Sequence, residues 1–331
     1  MAGKGAEVTA ASRKRRWQGW LGYLAGAVCL VWVLHDIQPA ELVRDWKTIR
    51  WGWIGLAVAF DILSYLSQGW RWELLLRPMG RISVIKATQA IYAGLFTNEV
   101  LPLRFGELVR AYLAARWLNV SFAAAFPSMA VERLFDCVWL AMAIGVSAIF
   151  VPFPADLMRA EDFLGAAVVV VTIAFVYLVF RKPPATPPRW RPLRWLAHFS
   201  EGIQRIGRSG SVYTSFGASF LLPAAQALAF WLVMLGYGLN LSFWVGAVVY
   251  LIVRLGTAVP NAPANVGTYQ FFTVVGLTLF GVSKSAATGF SLVVFLVLTV
   301  PLWALGFLAL SRSGKTLHVL REEINALREA P

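Results

Sequence analysis

Charge is what this sequence has least of. Asp, Glu, Lys and Arg make up 14% of its 331 residues, against 58% that are hydrophobic, and that balance excludes a water-soluble globule. There are two cysteines, Cys29 and Cys137, both inside apolar segments and without a CxxC spacing, so neither a disulfide framework nor a thiolate metal site is indicated. The three histidines, His35, His198 and His318, lie near span ends or in basic loops and form no HExxH pattern. Gly314, Lys315 and Thr316 look like the end of a phosphate-binding loop, but the upstream glycine is missing and there is no βαβ context. No metal, no cofactor and no catalytic residue is therefore expected, and the chain reads as a non-enzyme.

Long apolar runs, by contrast, are plentiful. About 20 residues of helix cross about 30 Å of hydrocarbon, and six segments qualify as spans: 17–36, 51–77, 122–152, 163–180, 211–238 and 286–310. The first follows Arg13, Lys14, Arg15 and Arg16 as a secretory signal would, but no small-residue cleavage site comes after it, so it is expected to stay attached. Two further apolar stretches are interrupted. Residues 83–118 carry Asn98, Glu99, Pro102, Arg104, Gly106 and Glu107; residues 243–281 carry Arg254, Pro260, Asn261, Pro263, Asn265 and Gly267. The expected fold is an all-α polytopic membrane protein with about six full spans and two re-entrant or broken helical hairpins. Residues 1–16 form a basic tail, 17–310 a single transmembrane domain with a basic loop at 181–209, and 311–331 a C-terminal tail.

The formal net charge of +13 has its explanation in where the bases fall. Twenty Lys and Arg lie in the N-terminal tail, 71–86, 181–209 and 312–331, against five in 36–50, 152–162 and the turn at Lys284. By the positive-inside rule both termini are cytoplasmic, and a nucleic-acid partner loses its support. The two broken segments then enter from opposite faces. Span, hairpin, span recurs in 51–152 and, inverted, in 211–310, with Pro102 to Gly106 echoed by Pro263 to Gly267. Such inverted repeats of broken helices build substrate sites near the midplane of secondary transporters. For 243–281 the choice between a re-entrant hairpin and two full spans is open. In the basic loop, Leu193, Leu196, Phe199, Ile203 and Ile206 follow helical spacing among arginines. They fit a helix lying on an anionic leaflet, with a disordered linker as the alternative.

Several polar residues within the apolar segments are candidate ligands. After Pro102 a helix should restart, its positive end and Arg104 favouring an anionic group such as phosphate, unless Arg104 and Glu107 only pair and pin the loop. Asn98, Glu99 and Arg110 flank that point. Glu132, Arg133 and Asp136 sit inside the third span, where each unpaired charge costs about 2.5–3.5 kcal/mol on insertion scales. Arg133 and Asp136 can pair, leaving a carboxylate that needs Arg104, Arg110 or Arg254; a structural network and a relay weigh equally. Asp61, Ser64, Tyr65, Gln68 and Trp72 form a polar stripe, facing a cavity or bonding another helix. Asn261, Asn265, Thr268, Tyr269 and Gln270, with Arg254, line the second hairpin, touching a headgroup or only satisfying broken backbone.

The stretch NEVLPLRFGELVR from Asn98 to Arg110, followed by VERLFD at 131–136, with Arg71-Trp72 and PNAPANVGTYQ from Pro260 to Gln270, resembles the flippase-like transmembrane region of bacterial lysylphosphatidylglycerol synthases. The resemblance runs from about Trp17 to Ala309. It implies a protein that moves, or helps to move, a lipid between leaflets, with roles for Arg104, Glu107, Glu132, Arg133 and Asp136. Ala264 and Asn265 depart from the family's glycine-rich form. About 20 residues follow the last span, so no aminoacyltransferase domain is expected. The implied partner is a membrane lipid with an anionic headgroup, alongside lipid-synthesis enzymes; a homo-oligomer is compatible. The alternative is a non-transporting subunit or glycosyltransferase-like enzyme of a phospholipid, hopanoid or glycolipid pathway.

Overall fold

The computed structural model describes residues 23–35, 46–100, 105–151, 155–181, 191–258 and 262–314, without the side chains of 123, 155–164, 191–198 and 263. Every regular element among them is helical. Helix α1 is Tyr23–Leu34, α2 Trp51–Leu76, α3 Val84–Val100, α4 Gly106–Leu118, α5 Phe122–Phe150 and α6 Ala155–Phe180. Then follow α7 Arg191–Gly207, α8 Ser211–Ala218, α9 Leu221–Tyr237, α10 Phe243–Gly256, α11 Thr268–Thr278 and α12 Lys284–Ser311. The break between α8 and α9 sits four residues before Pro223, whose ring conflicts with the carbonyl of Ser219 and removes a donor.

Three helices are long and apolar enough to cross a membrane by length and composition: Ala124–Phe150, Ser211–Tyr237 and Lys284–Ser311. Helix α2 has the length, at 26 residues, but its buried Asp61, Gln68, Arg71 and Glu73 dilute its apolar character. Tyr23–Leu34 and Gly165–Phe180 are shorter apolar helices. The architecture is consistent with a polytopic membrane protein.

The two interrupted stretches fold as helical hairpins. At 17 and 13 residues, α3 and α4 measure about 25 and 20 Å; α10 and α11, at 14 and 11, about 21 and 16 Å. No arm reaches 30 Å. The arms of the first hairpin meet backbone to backbone, since a Cβ on Gly106 would stand 1.8 Å from the Gly94 carbonyl oxygen. Asn98 closes its tip by accepting from the Gly106 amide at 2.7 Å. The second hairpin turns through left-handed backbone at Ala264, Asn265 and Gly267. There the Gly267 amide donates to Gln270 Oε1 at 2.7 Å, and a Cβ on Gly267 would lie 1.9 Å from the Gly26 carbonyl oxygen of α1.

Packing repeats between the halves. Helix α2 packs on α3, α3 on α4 and α4 on α5, as α9 packs on α10, α10 on α11 and α11 on α12. The halves meet through α2 on α8 and α9, α3 on α12, and α10 on α5. This is the order that an internal repeat requires. One apolar core joins α2, α3, α4 and α5 around Trp72, Ile91 and Leu113; another joins α2, α9, α10, α11 and α12 around Phe230, Phe290 and Leu277.

The bundle has two unlike ends. At one, Ser211 Oγ donates to the Leu74 carbonyl at 2.8 Å and Gln204 Nε2 to that of Arg181 at 2.9 Å; Arg77, Arg81, Lys86, Arg116, Arg181, Arg205, Arg208 and Arg312 belong to this end. At the other, the Arg50 amide donates to the Gly236 carbonyl at 2.9 Å and Lys284 Nζ to that of His35 at 3.3 Å. The first hairpin opens toward the basic end, where Leu118 meets Gly80. The second opens toward the opposite end, following α9 and preceding α12.

Two expectations change. Arg71, counted above among loop bases, is fully buried, so the ratio becomes nineteen to five with the same sign. Helix α7 does form, but Ile203 and Ile206 are buried and it packs on α5 and α6, with Gly202 against Pro127 and Gly207 against Val179. Its last turns therefore dock on protein instead of lipid.

Candidate functional site

The charged residues of the apolar segments separate into two centres. In the first, six side chains alternate in sign along one chain: Glu107, Arg133, Asp136, Arg71, Glu132, Arg110. Arg71 bridges two carboxylates, with Nη1 at 2.5 Å from Asp136 Oδ1 and Nη2 at 2.5 Å from Glu132 Oε1. Arg110 pairs with the other oxygen of Glu132, and Gln68 Nε2 donates to Oε1 at 2.9 Å. Arg133 closes the row, pairing with Glu107 and lying 3.2 Å from Asp136 Oδ2. Three positive and three negative groups from α2, α4 and α5 leave no net charge, which is what permits ions inside a membrane bundle.

Local sequence sets this geometry. Glu132 and Asp136 share a face of α5 at i,i+4, and Arg133 and Asp136 meet at i,i+3. Trp72 packs beneath the Arg110 guanidinium, 4.0 Å from ring centroid to Cζ, and donates from Nε1 to Ser128 Oγ at 3.1 Å. Arg71 and Glu132 are 0% and 1% exposed, so the centre of the row is a buried lock between the first hairpin and its flanking helices. The outer pair is more open, with Arg133 53% and Glu107 30% exposed.

The second centre is a cavity of about 210 Å³ between the two hairpins. Asp61 and Tyr65 reach it from α2, Glu99 from α3, Tyr250 and Arg254 from α10, and Asn265 and Tyr269 from the second hairpin's turn and α11; α12 closes it with an apolar wall including Phe295 and Leu302. Arg254 forms no ion pair among the described residues. Tyr250 donates to Gln226 Oε1 at 2.8 Å, and Trp303 Nε1 donates to Glu99 Oε2 at 3.3 Å. Asp61 stands ten residues into α2 and Arg254 eleven into α10, so both lie about 15–17 Å from the same end of the bundle, near its middle.

The sequence-derived candidates thus divide. Glu107, Arg110, Glu132, Arg133 and Asp136 come together in the ionic row; Glu99, Arg254, Asn265 and Tyr269 come together in the cavity; Asn98 holds the first hairpin's tip. Arg104 and Asn261 lie outside the described residues. Glu132 was expected to seek Arg104, Arg110 or Arg254, and it finds Arg110 together with Arg71. The polar stripe of α2 serves both centres, Asp61 and Tyr65 facing the cavity and Gln68 and Trp72 the row. Sequence reasoning missed Tyr250, Gln226 and the ionic role of Arg71. For Arg71 a signal existed, since it falls three residues after Gln68, on the flank of the same polar stripe.

Comparison with known proteins follows this geometry. The family model described as the lysylphosphatidylglycerol synthase TM region matches residues 19–306. The chain is 25% identical over 311 residues to Glycosyltransferase AglD of Haloferax volcanii, covering 80% of this chain and 50% of that protein. It is 23% identical over 305 residues to a UPF0104 membrane protein of Methanothermobacter thermautotrophicus, covering 85% and 88%. A second UPF0104 membrane protein of that organism is 21% identical over 328 residues, covering 91% and 97%. The chain therefore spans about half the length of AglD and most of the length of the two UPF0104 proteins.

Proposed function

This chain belongs to the lysylphosphatidylglycerol synthase TM-region family, and from that premise we propose that it carries a lipid headgroup between leaflets, as a flippase or scramblase. The observation that carries the reading is Arg254, without an ion pair among the described residues, in a polar cavity between two hairpins that open toward opposite ends. A cation at mid-depth without an internal partner is costly unless a ligand supplies the opposite charge, and a phosphate-bearing headgroup does so. Asp61 and Glu99 share the cavity and temper its positive field. Transport needs that balance, because a headgroup must bind well enough to enter and weakly enough to leave.

In this reading the hairpins are re-entrant, the basic end faces the cytoplasm, and the protein resides in a bacterial inner membrane. No catalytic residue, metal or cofactor takes part. The partner is an anionic lipid or a lipid-linked intermediate, met alongside lipid-synthesis enzymes. A second reading has one observation in its favour, the likeness to a protein named a glycosyltransferase. There the chain is a non-transporting membrane partner, or a glycosyltransferase-like enzyme, of a lipid pathway.

The test is reconstitution into phosphatidylcholine vesicles with fluorescent phosphatidylglycerol, quenched from outside by dithionite. The proposal expects the protein to convert the protected inner half of the label into an accessible pool. If protein-containing vesicles retain that protected half as empty ones do, for phosphatidylglycerol and for a fluorescent polyprenyl-phosphate sugar alike, the second reading takes its place.

A further inference from the structure

Away from both centres, a crevice of about 290 Å³ opens between α5, α6, and the α7–α8 corner. Its walls are nearly all apolar, with Phe135 and Val138 from α5, Phe175 and Val176 from α6, and Tyr213 and Phe216 from α8. Tyr213 is 79% exposed and Val176 47%. Two lining residues, Val179 and Gly207, tie the crevice to the basic end: a Cβ on Gly207 would lie 2.3 Å from Val179 Cγ2, and Arg208 Nε donates to the Val179 carbonyl at 3.2 Å. Arg208, Arg205 and Arg181 are all exposed and form no ion pair among the described residues. Glu201, on α7, is one turn behind Arg205 and forms none either.

An apolar slot with two arginines at its mouth, Arg208 bonded to the lining Val179 and Arg181 directly following the lining Phe180, has the two-part chemistry of a phospholipid. We propose that this crevice is a resident-lipid site holding one acyl chain of an anionic phospholipid, its phosphate engaged by Arg181 and Arg208. The occupant is fixed by charge complementarity. Two positive groups at the rim favour phosphatidylglycerol over a zwitterionic lipid, whose ammonium they repel. A guanidinium offers the planar fork that a phosphate accepts. Thr172 and Val138 mark the depth of the slot; the eight steps of helical rise from Thr172 to Phe180 give it about 12 Å, enough for much of one chain. This site does not rest on the transport reading. It shares no residue with the central cavity.

Native mass spectrometry of the delipidated full chain, titrated separately with dioleoyl phosphatidylglycerol, dioleoyl phosphatidylcholine and glycerol 3-phosphate, tests it. Phosphatidylglycerol should bind as one saturable copy at least about tenfold tighter than phosphatidylcholine, a factor of one good charge-assisted contact, and glycerol 3-phosphate should not bind. The Arg181→Gln/Arg208→Gln variant should lose the preference between lipids. Val176→Trp, which fills the slot, should lose the saturable copy, while Val170→Trp on the same helix, 65% exposed and outside the crevice, should keep it. If Val176→Trp fails to fold, the arginine variant alone decides. Equal binding of both lipids, or an unchanged preference in the arginine variant, reduces the crevice to a place for exchangeable bulk lipid and overturns the proposal. Binding of glycerol 3-phosphate as tight as that of the lipid makes the arginines a plain anion site and overturns it too.

Discussion

The two hairpins have like shapes and unlike chemistry. The first is locked by charge: α4 reaches α2 and α5 through Arg110, Glu107 and the row around Glu132. The second is held by apolar packing, with Val274 and Leu277 of α11 in a core with Phe230 and Phe290, and by close backbone contact with α1 at Gly267 and Gly26. The helices flanking it, α8, α9 and α12 after Lys284, carry no charged residue before Arg312. Apart from Lys284 at the first position of α12, Arg254 is therefore the lone charge of the second half's described apolar helices, and it lines the cavity. The difference teaches that a repeated architecture leaves each half free to solve burial separately. The ionic half gains a fixed position; the neutral half leaves one cation for a ligand.

The largest effect should come from removing the shared carboxylate. Glu132→Ala strips Arg110 of its ion-pair partner and Arg71 of one of two, leaving buried uncompensated charge. A loss of about 3–5 kcal/mol is expected, read as a fall in folded yield and melting temperature in detergent. Glu132→Gln should lose less, since its amide oxygen still accepts. A drop no greater than that of an exposed substitution contradicts the lock.

Next come the two close-approach glycines, which test whether both hairpins depend on tight contact. Gly106→Ala drives a methyl into the Gly94 carbonyl, and Gly267→Ala into that of Gly26. Each should cost at least about 1–3 kcal/mol by overpacking. Gly267→Ala should cost the more, because its backbone sits at a φ of 89°, which disfavours a side chain. If chemical denaturation shows both near neutral, the hairpin arms are looser than described.

A smaller effect sharpens the row itself. From sequence alone, Arg133 and Asp136 can pair, and a purely structural pair would partly regain stability on joint removal. The structure makes them unequal, since Asp136 also holds the buried Arg71. Arg133→Gln, at the open end of the row, should cost about 0.2–1 kcal/mol; Asp136→Asn should cost clearly more, and the double variant should resemble Asp136→Asn. Restoration in the double variant denies the Arg71 contact.

What the sequence made legible follows from range. The bounds of α2, α5 and α12, and of α8 and α9 taken together, could be read because apolar runs end where polar residues and turns begin, within a few residues. The hairpins were visible because Asn98, Gly106, Pro263 and Gly267 interrupt such runs locally. The pairing of Arg133 with Asp136 is a one-turn matter, and so was legible too. Arg71 with Glu132, 61 residues apart, and Tyr250 with Gln226, on adjacent helices, depend on how helices rotate against each other. Periodicity says that a face is polar without saying which helix meets it. For the same reason α7 reads as a surface helix, although Ile203 and Ile206 find protein.

The central claim is that the cavity handles the ligand and the ionic row only holds the fold. The most direct measurement is the rate of fluorescent phosphatidylglycerol translocation in vesicles, taken with the melting temperature, for Arg254→Gln beside Arg133→Gln. Arg254 has no ion pair to lose among the described residues, so Arg254→Gln should melt as the parent does while translocation slows at least tenfold, the equivalent of about 1.4 kcal/mol. Arg133→Gln should leave the rate within about twofold of the parent. Full translocation by a folded Arg254→Gln, or its loss in a folded Arg133→Gln, would contradict that division of labour.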